Sequence, residues 1–119
     1  MKTLNVGIMP REEFQKRTIA IASGDYKPQK DEPKIWFNSM KSLGEILSES
    51  NVKLLRLIDS ENPESIKKLS EISGRESSNL SRTLKTLERY SIIELIRHNK
   101  MIKPIVKAND FNIHYSIAG

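Results

Sequence analysis

Gly74-Arg75-Glu76-Ser77-Ser78-Asn79-Leu80-Ser81-Arg82-Thr83-Leu84-Lys85-Thr86-Leu87-Glu88-Arg89-Tyr90 is the stretch around which the rest of the chain is read. Leu80, Leu84 and Leu87 recur at i, i+4 and i+7, the spacing that lines them up on one stripe of a helix. At about 100° per residue, Ser78, Arg82, Lys85 and Arg89 fall in a narrow arc on the opposite side. The leucines are predicted to face a core, leaving a basic, hydroxyl-bearing arc outward. Ser77 or Ser78 is expected to cap the helix.

Upstream, Pro63-Glu64-Ser65-Ile66-Lys67-Lys68-Leu69-Ser70-Glu71-Ile72-Ser73-Gly74 reads as a shorter helix, capped by Ser65 and stopped by Gly74. Two helices joined by a turn of a few residues, the second carrying cations outward, form the helix-turn-helix layout suited to a major groove. After Tyr90-Ser91, Ile92-Ile93-Glu94-Leu95-Ile96-Arg97 has strand composition and His98-Asn99-Lys100 can turn. Met101-Ile102-Lys103-Pro104-Ile105-Val106 then returns as a second strand, making a wing. Pro104 cannot donate to a ladder and suits an edge. Arg97, Lys100 and Lys103 sit on or beside the tip, within reach of phosphates or a minor groove.

Toward the N-terminus, Asn51 to about Ser60 reads as a helix whose Val52, Leu54, Leu55, Leu57 and Ile58 cover most of its circumference. It is either the central helix of one domain or one shared between two subunits. Met40, Leu43 and Leu47 mark a short helix, capped by Asn38 or Ser39, which Gly44 weakens by about 1 kcal/mol relative to alanine. Ile35-Trp36-Phe37 makes a brief strand just before it. Asp25 to Lys34, with two prolines, is a loop. Pro10, Phe14, Thr18 and Ile21 outline a helix ending near Ala22, and Thr3 to Ile8 alternates as a short strand. Phe111-Asn112-Ile113-His114-Tyr115-Ser116-Ile117 alternates too, and an antiparallel sheet formed by the two end strands is expected to hold the N-terminal arm to the body. The chain thus divides into an arm at 1–34 for dimerisation or partner binding, a body at 35–106, and a C-terminal strand at 107–119 packing on the arm. The class is α+β.

The 119 residues suit one domain with one modest core. The hydrophobic and charged fractions, 37% and 29%, are those of a soluble protein, and no apolar run approaches the roughly 20 residues of a membrane span. Met1 to Val6 lacks an apolar signal region, so a cytoplasmic location is the default. The absence of cysteine excludes disulfides, a thiolate nucleophile and cysteine-ligated zinc. Residues 65–103 hold 9 Lys or Arg against 4 Asp or Glu, whereas the rest of the chain is balanced, so the net charge of +5 belongs to the proposed reading unit. Phosphate neutralisation requires such an excess. A solvated lysine-rich face has the same composition.

The residues expected to meet a duplex are Ser77, Ser78, Asn79, Ser81, Arg82, Lys85 and Arg89 on the helix, with Arg97 and Lys100 at the wing. Arginine pairs with guanine and asparagine with adenine through two hydrogen bonds each, and the first turns of a reading helix are where base edges are met. Arg82 is assigned a base edge or a phosphate, Lys85 and Arg89 phosphates. Glu76 and Glu88 oppose a polyanion locally, unless either pairs with a neighbouring cation along the helix. Nothing points to catalysis. His98 and His114 are linked by no pattern to a nucleophile or metal ligand, and no cofactor or metal site is expected. Trp36, Phe37 and Phe14 read as core or interface anchors rather than stacking platforms for bases.

Ser65 to Gly74, followed by Ser78-Asn79-Leu80-Ser81-Arg82-Thr83-Leu84-Lys85-Thr86-Leu87-Glu88 and then Ile92-Ile93, resembles the winged helix-turn-helix regulators of the MarR and ArsR type. These share a hydroxyl-rich turn, a V/L-S-R-x-L-x-x-L-E helix and a hydrophobic pair opening the wing. The resemblance spans residues 40–106 and implies a transcriptional regulator that binds operator DNA as a homodimer; the N-terminal arm and the helices from 39 to 60 are expected to supply the interface. The flanking segments look like a small prokaryotic group of winged-helix proteins that includes antitoxins encoded beside toxins, which implies a toxin protein as a second partner. Tyr90-Ser91-Ile92 departs from the pattern, because a glycine commonly precedes the hydrophobic pair.

Overall fold

A computed structural model of the chain describes residues 2–117. Met1, Ala118 and Gly119, which belong to the N-terminal arm and the C-terminal strand segment, lie outside the described residues. The fold is α+β, with five helices and two sheets among the described residues.

Strand β1 (Lys2–Ile8) leads through helix α1 (Arg11–Ser23) and a loop to strand β2 (Ile35–Phe37), which lies parallel beside β1 with Val6 opposite Ile35 and Ile8 opposite Phe37. A parallel return needs a crossover of this length, and α1 supplies it. Helices α2 (Met40–Ile46), α3 (Glu49–Glu61), α4 (Ile66–Ser73) and α5 (Ser77–Arg89) come after it. The hairpin of β3 (Ile93–His98) and β4 (Met101–Val106) is next, and β5 (Ala108–Tyr115) is the last element among the described residues.

The two end strands do pair, but in parallel rather than antiparallel, with Leu4 opposite Phe111 and Ile8 opposite Tyr115. The whole of residues 9–107 acts as one long crossover between them, returning the chain to the end at which it started. β1 is consequently the central strand, in the order β2-β1-β5. β5 also begins earlier than the alternation suggested, at Ala108, because Lys107 and Ala108 both donate to the Ile92 carbonyl at 2.9 and 3.2 Å and carry β4 directly into it.

Local signals account for the helices. Ser39, Ser48 and Ser65 cap α2, α3 and α4, each side chain accepting from the N–H three residues on at 3.0–3.2 Å. The cap at Ser48 starts α3 two residues before the predicted Asn51. Gly74 ends α4 at φ 74°, where a Cβ would be strained. Helix α5 departs from expectation at its start: Glu76 occupies the cap position with no side-chain hydrogen bond, and Ser77 and Ser78 are already helical.

Two apolar clusters form the core. The larger joins Leu54, Leu55 and Ile58 of α3, Leu69 of α4, Leu80, Leu84 and Leu87 of α5, and Ile92, Ile93, Leu95 and Val106 of the hairpin region. Helix α3 is therefore largely enclosed by its own domain, with Val52 and Leu57 half-buried. The smaller joins Val6, Ile8, Phe37 and Leu43 beneath the three-stranded sheet. Leu4, Ile46, Leu47 and Tyr90 pack against both. The Phe37 and Tyr90 rings stack with centroids 4.6 Å apart, tying the end of α5 to that sheet.

Helix α1 is the exception to this packing. It forms over the predicted residues yet buries none of them, and Phe14 and Ile19 are exposed. The Arg17 guanidinium fastens it instead, lying 5.1 Å from the Trp36 ring centroid and pairing with Glu32 at 2.9 Å. Trp36 in turn lies over Gly7, where any Cβ would collide with its ring.

Candidate nucleic-acid interface

The face of α5 opposite its leucines is open. Leu80, Leu84 and Leu87 are each 0% exposed, while Ser77, Ser78, Asn79, Arg82, Lys85 and Arg89 are exposed or half-buried, as is Ser81. One helix thus brings seven of the nine predicted residues together. Its basic residues form no ion pair among the described residues, whose pairs are Arg17 with Glu32 and Lys68 with Glu71.

The turn leading into α5 is stiffened from within. Ser70 Oγ donates to the Arg75 carbonyl at 2.5 Å, and the Arg75 N–H donates to Ser73 Oγ at 3.3 Å. The Arg75 guanidinium folds onto α5, donating through Nη2 to Asn79 Oδ1 at 2.9 Å and to Thr83 Oγ1 at 3.4 Å. Asn79 is therefore oriented with its oxygen toward Arg75, leaving the amide nitrogen as its donating end. Arg75 was not among the predicted site residues. Its spacing of four from Asn79 is the only sequence signal for the contact, and Arg75 precedes the helix on which such spacings are counted.

Glu88 makes no pair with a cation along α5. Its carboxylate accepts from the Leu95 N–H of β3 at 3.2 Å, joining the last turn of the helix to the hairpin. This satisfies a strand-edge donor and directs the negative charge away from the basic arc.

Arg97, Lys100 and Lys103 are less convergent than their sequence proximity suggests. Lys100 lies in the two-residue turn, where Asn99 takes φ 56°. Ile93 and Leu95 are buried, so alternation puts Arg97 on the core-side face of the hairpin. Lys103 pairs with Ile96 in the register and so shares the outer face. A ligand approaching the core side would meet Arg97 and not Lys103.

Ser91 explains the missing glycine. It adopts φ 63° between α5 and β3, a left-handed conformation that glycine enters without a Cβ penalty. Ser91→Gly is expected to raise unfolding stability by about 0.5–1 kcal/mol, the relief of strain exceeding glycine's greater entropy loss. Urea denaturation followed by circular dichroism checks this, and a destabilised variant would contradict it.

No helix among the described residues is long and apolar enough to cross a membrane. No curated protein and no solved structure matches the chain. The HVO_A0114 family model matches residues 46–113, more than half of the chain, running from the end of α2 through the helices and hairpin into β5. The chain belongs to the HVO_A0114 family.

Proposed function

We propose that this protein is a sequence-specific DNA-binding transcriptional regulator, acting as a dimeric repressor through a winged helix-turn-helix. In this reading α4 and α5 are the paired helices, α5 enters the major groove, and the β3–β4 hairpin is the wing. The observation that carries it is the two-sidedness of α5: three leucines fully buried, and Ser78, Arg82, Lys85 and Arg89 left accessible on the other side. The charge distribution agrees, since the basic surplus lies in residues 65–103. Phosphate contacts give affinity and register, and Arg82, in the second turn of the helix, contacts a base edge.

The test is binding of the purified chain to the duplex immediately upstream of its own coding sequence. Arg82→Ala is expected to weaken binding about 10- to 100-fold, the 1–3 kcal/mol of a two-hydrogen-bond base contact. Lys53→Ala, on α3, should leave affinity within about twofold. Equal effects of the two substitutions would remove α5 from the reading role. Affinity should also fall steeply with salt, and a salt-independent affinity would contradict phosphate contact.

A second reading draws on α1, which buries no residue and exposes Phe14 and Ile19. An arm left open in this way suits capture of a protein, and the chain would then be an antitoxin that masks a toxin and uses α5 to regulate its own operon. Co-purification with the product of the adjacent gene separates the two readings.

A further inference from the structure

Strand β5 ends the three-stranded sheet, and no strand lies against its outer edge among the described residues. Leu4, Val6 and Ile8 of β1 are opposite Phe111, Ile113 and Tyr115 of β5, so all six project from one face. Val6 and Ile8 are 2% and 6% exposed, yet Ile113 and Tyr115 are 48% and 55% exposed. The apolar face therefore continues past the rim of the core. Edge strands in monomers are ordinarily protected by lysine, proline, brevity or a bulge. The eight residues of β5, Ala108 to Tyr115, include neither lysine nor proline, and the one register shift lies at their start. From Asp110 onward the edge is regular and open.

We propose that this edge pairs antiparallel with β5 of a second copy, giving a two-fold dimer with a continuous six-stranded sheet. The inference supplies the surface for the dimer in the regulatory reading and rests on that reading for its purpose. Two-fold symmetry requires the strand to pair with itself about one centre. Residues opposed in an antiparallel ladder share a face, so the centre must fall on a residue, not between two. With Asn112 at the centre, Phe111 comes opposite Ile113 of the second copy, and Asp110 comes opposite His114, each pair occurring twice. Apolar meets apolar, and a carboxylate meets an imidazole. A centre on Ile113 would oppose Asp110 to Ser116, and a centre on Phe111 would oppose it to Asn112; both lose the match between carboxylate and imidazole.

The Asn112 register also reaches a groove. Tyr115 of the second copy then lies beside the irregular start of β5, near a cleft of about 210 Å³ lined by Leu47, Val52, Leu55 and Phe111 and also by Arg56 and Asp59. A half-exposed aromatic side chain and a largely apolar cleft are thus brought close by the same pairing that closes the edge.

Because the chain contains no cysteine, Asn112→Cys places a single thiol in each copy. At the centre of an antiparallel pair the two Cα atoms lie about 4.5–5.5 Å apart, inside the range a disulfide spans. The oxidised full-length variant is expected to run as a covalent dimer that thiols reverse, whereas Gln15→Cys on α1 should stay uncrosslinked at the same concentration. Ile113→Glu, at a half-exposed site, should keep the circular dichroism spectrum of the wild type and sediment as a monomer where the wild type is dimeric. A wild-type monomer at micromolar concentration overturns the proposal, as does a dimer that survives Ile113→Glu or fails to crosslink through Asn112→Cys. Neither assay contains DNA, so a β5-linked dimer that ignores its promoter removes the regulatory reading alone, and a DNA-binding monomer removes this surface alone.

Discussion

Leu84→Ala is expected to lower the free energy of unfolding by about 3 kcal/mol. The side chain is 0% exposed and packs in the larger core cluster with Leu80 and Leu87 on α5, Leu69 on α4 and residues of the hairpin. Removing its terminal carbons loses their burial and leaves a cavity that helices on several sides cannot collapse to fill. For a domain with a total stability of roughly 5–15 kcal/mol this is a large fraction, and the melting temperature should drop by roughly 10–15 °C. Lys85→Ala, one residue on and exposed, should stay within about 0.5 kcal/mol of the wild type. Thermal and urea unfolding of the two variants make the comparison, and similar stabilities would show that α5 is not anchored by its leucines.

Phe37→Ala is the second large effect, at about 3–4 kcal/mol. Phe37 is 3% exposed within the smaller cluster and stacks on Tyr90 with the ring planes 19° apart. It thereby belongs to the sheet while touching the end of α5. Combining Phe37→Ala with Tyr90→Ala should reveal a coupling of about 0.5–1.5 kcal/mol beyond simple addition. Strict additivity in urea unfolding would mean that the rings merely share a location.

The helical half of the fold was legible because its signals are local. Leucine spacing marked α5, Ser65 and Gly74 bounded α4, and the β-branched runs on either side of Asn99 and Lys100 marked the hairpin. Strand direction was not legible in the same way. Alternation in Thr3 to Ile8 and in Phe111 to Tyr115 says that each is half-buried, but the direction of pairing depends on where the intervening residues 9–107 deliver the chain, which no local pattern encodes. Within the candidate site, outward-facing residues followed from periodicity alone. Contacts that cross a turn did not: Arg75 reaches Asn79 from outside the helix, Glu88 reaches the Leu95 amide across the bend, and Ser91 takes a left-handed φ where serine has no strong preference. Helix α1 forms where Phe14 and Ile21 have helical spacing, but that spacing does not say what the helix packs on, and it buries no residue against the rest of the chain.

The stack of Phe37 on Tyr90 fixes the trailing end of α5 and makes it the pivot about which the helix would tilt if its buried leucines yielded. Thirteen residues at about 1.5 Å each give an arm of about 20 Å from Tyr90 to Ser77. A tilt of about 10° at that pivot sweeps the leading turn through about 3.5 Å, close to the rise of one base step. In the proposed reading role such a tilt would carry Ser78 about 3 Å and Arg82 about 2 Å, so the leucines buried along the helix are what hold both against a groove.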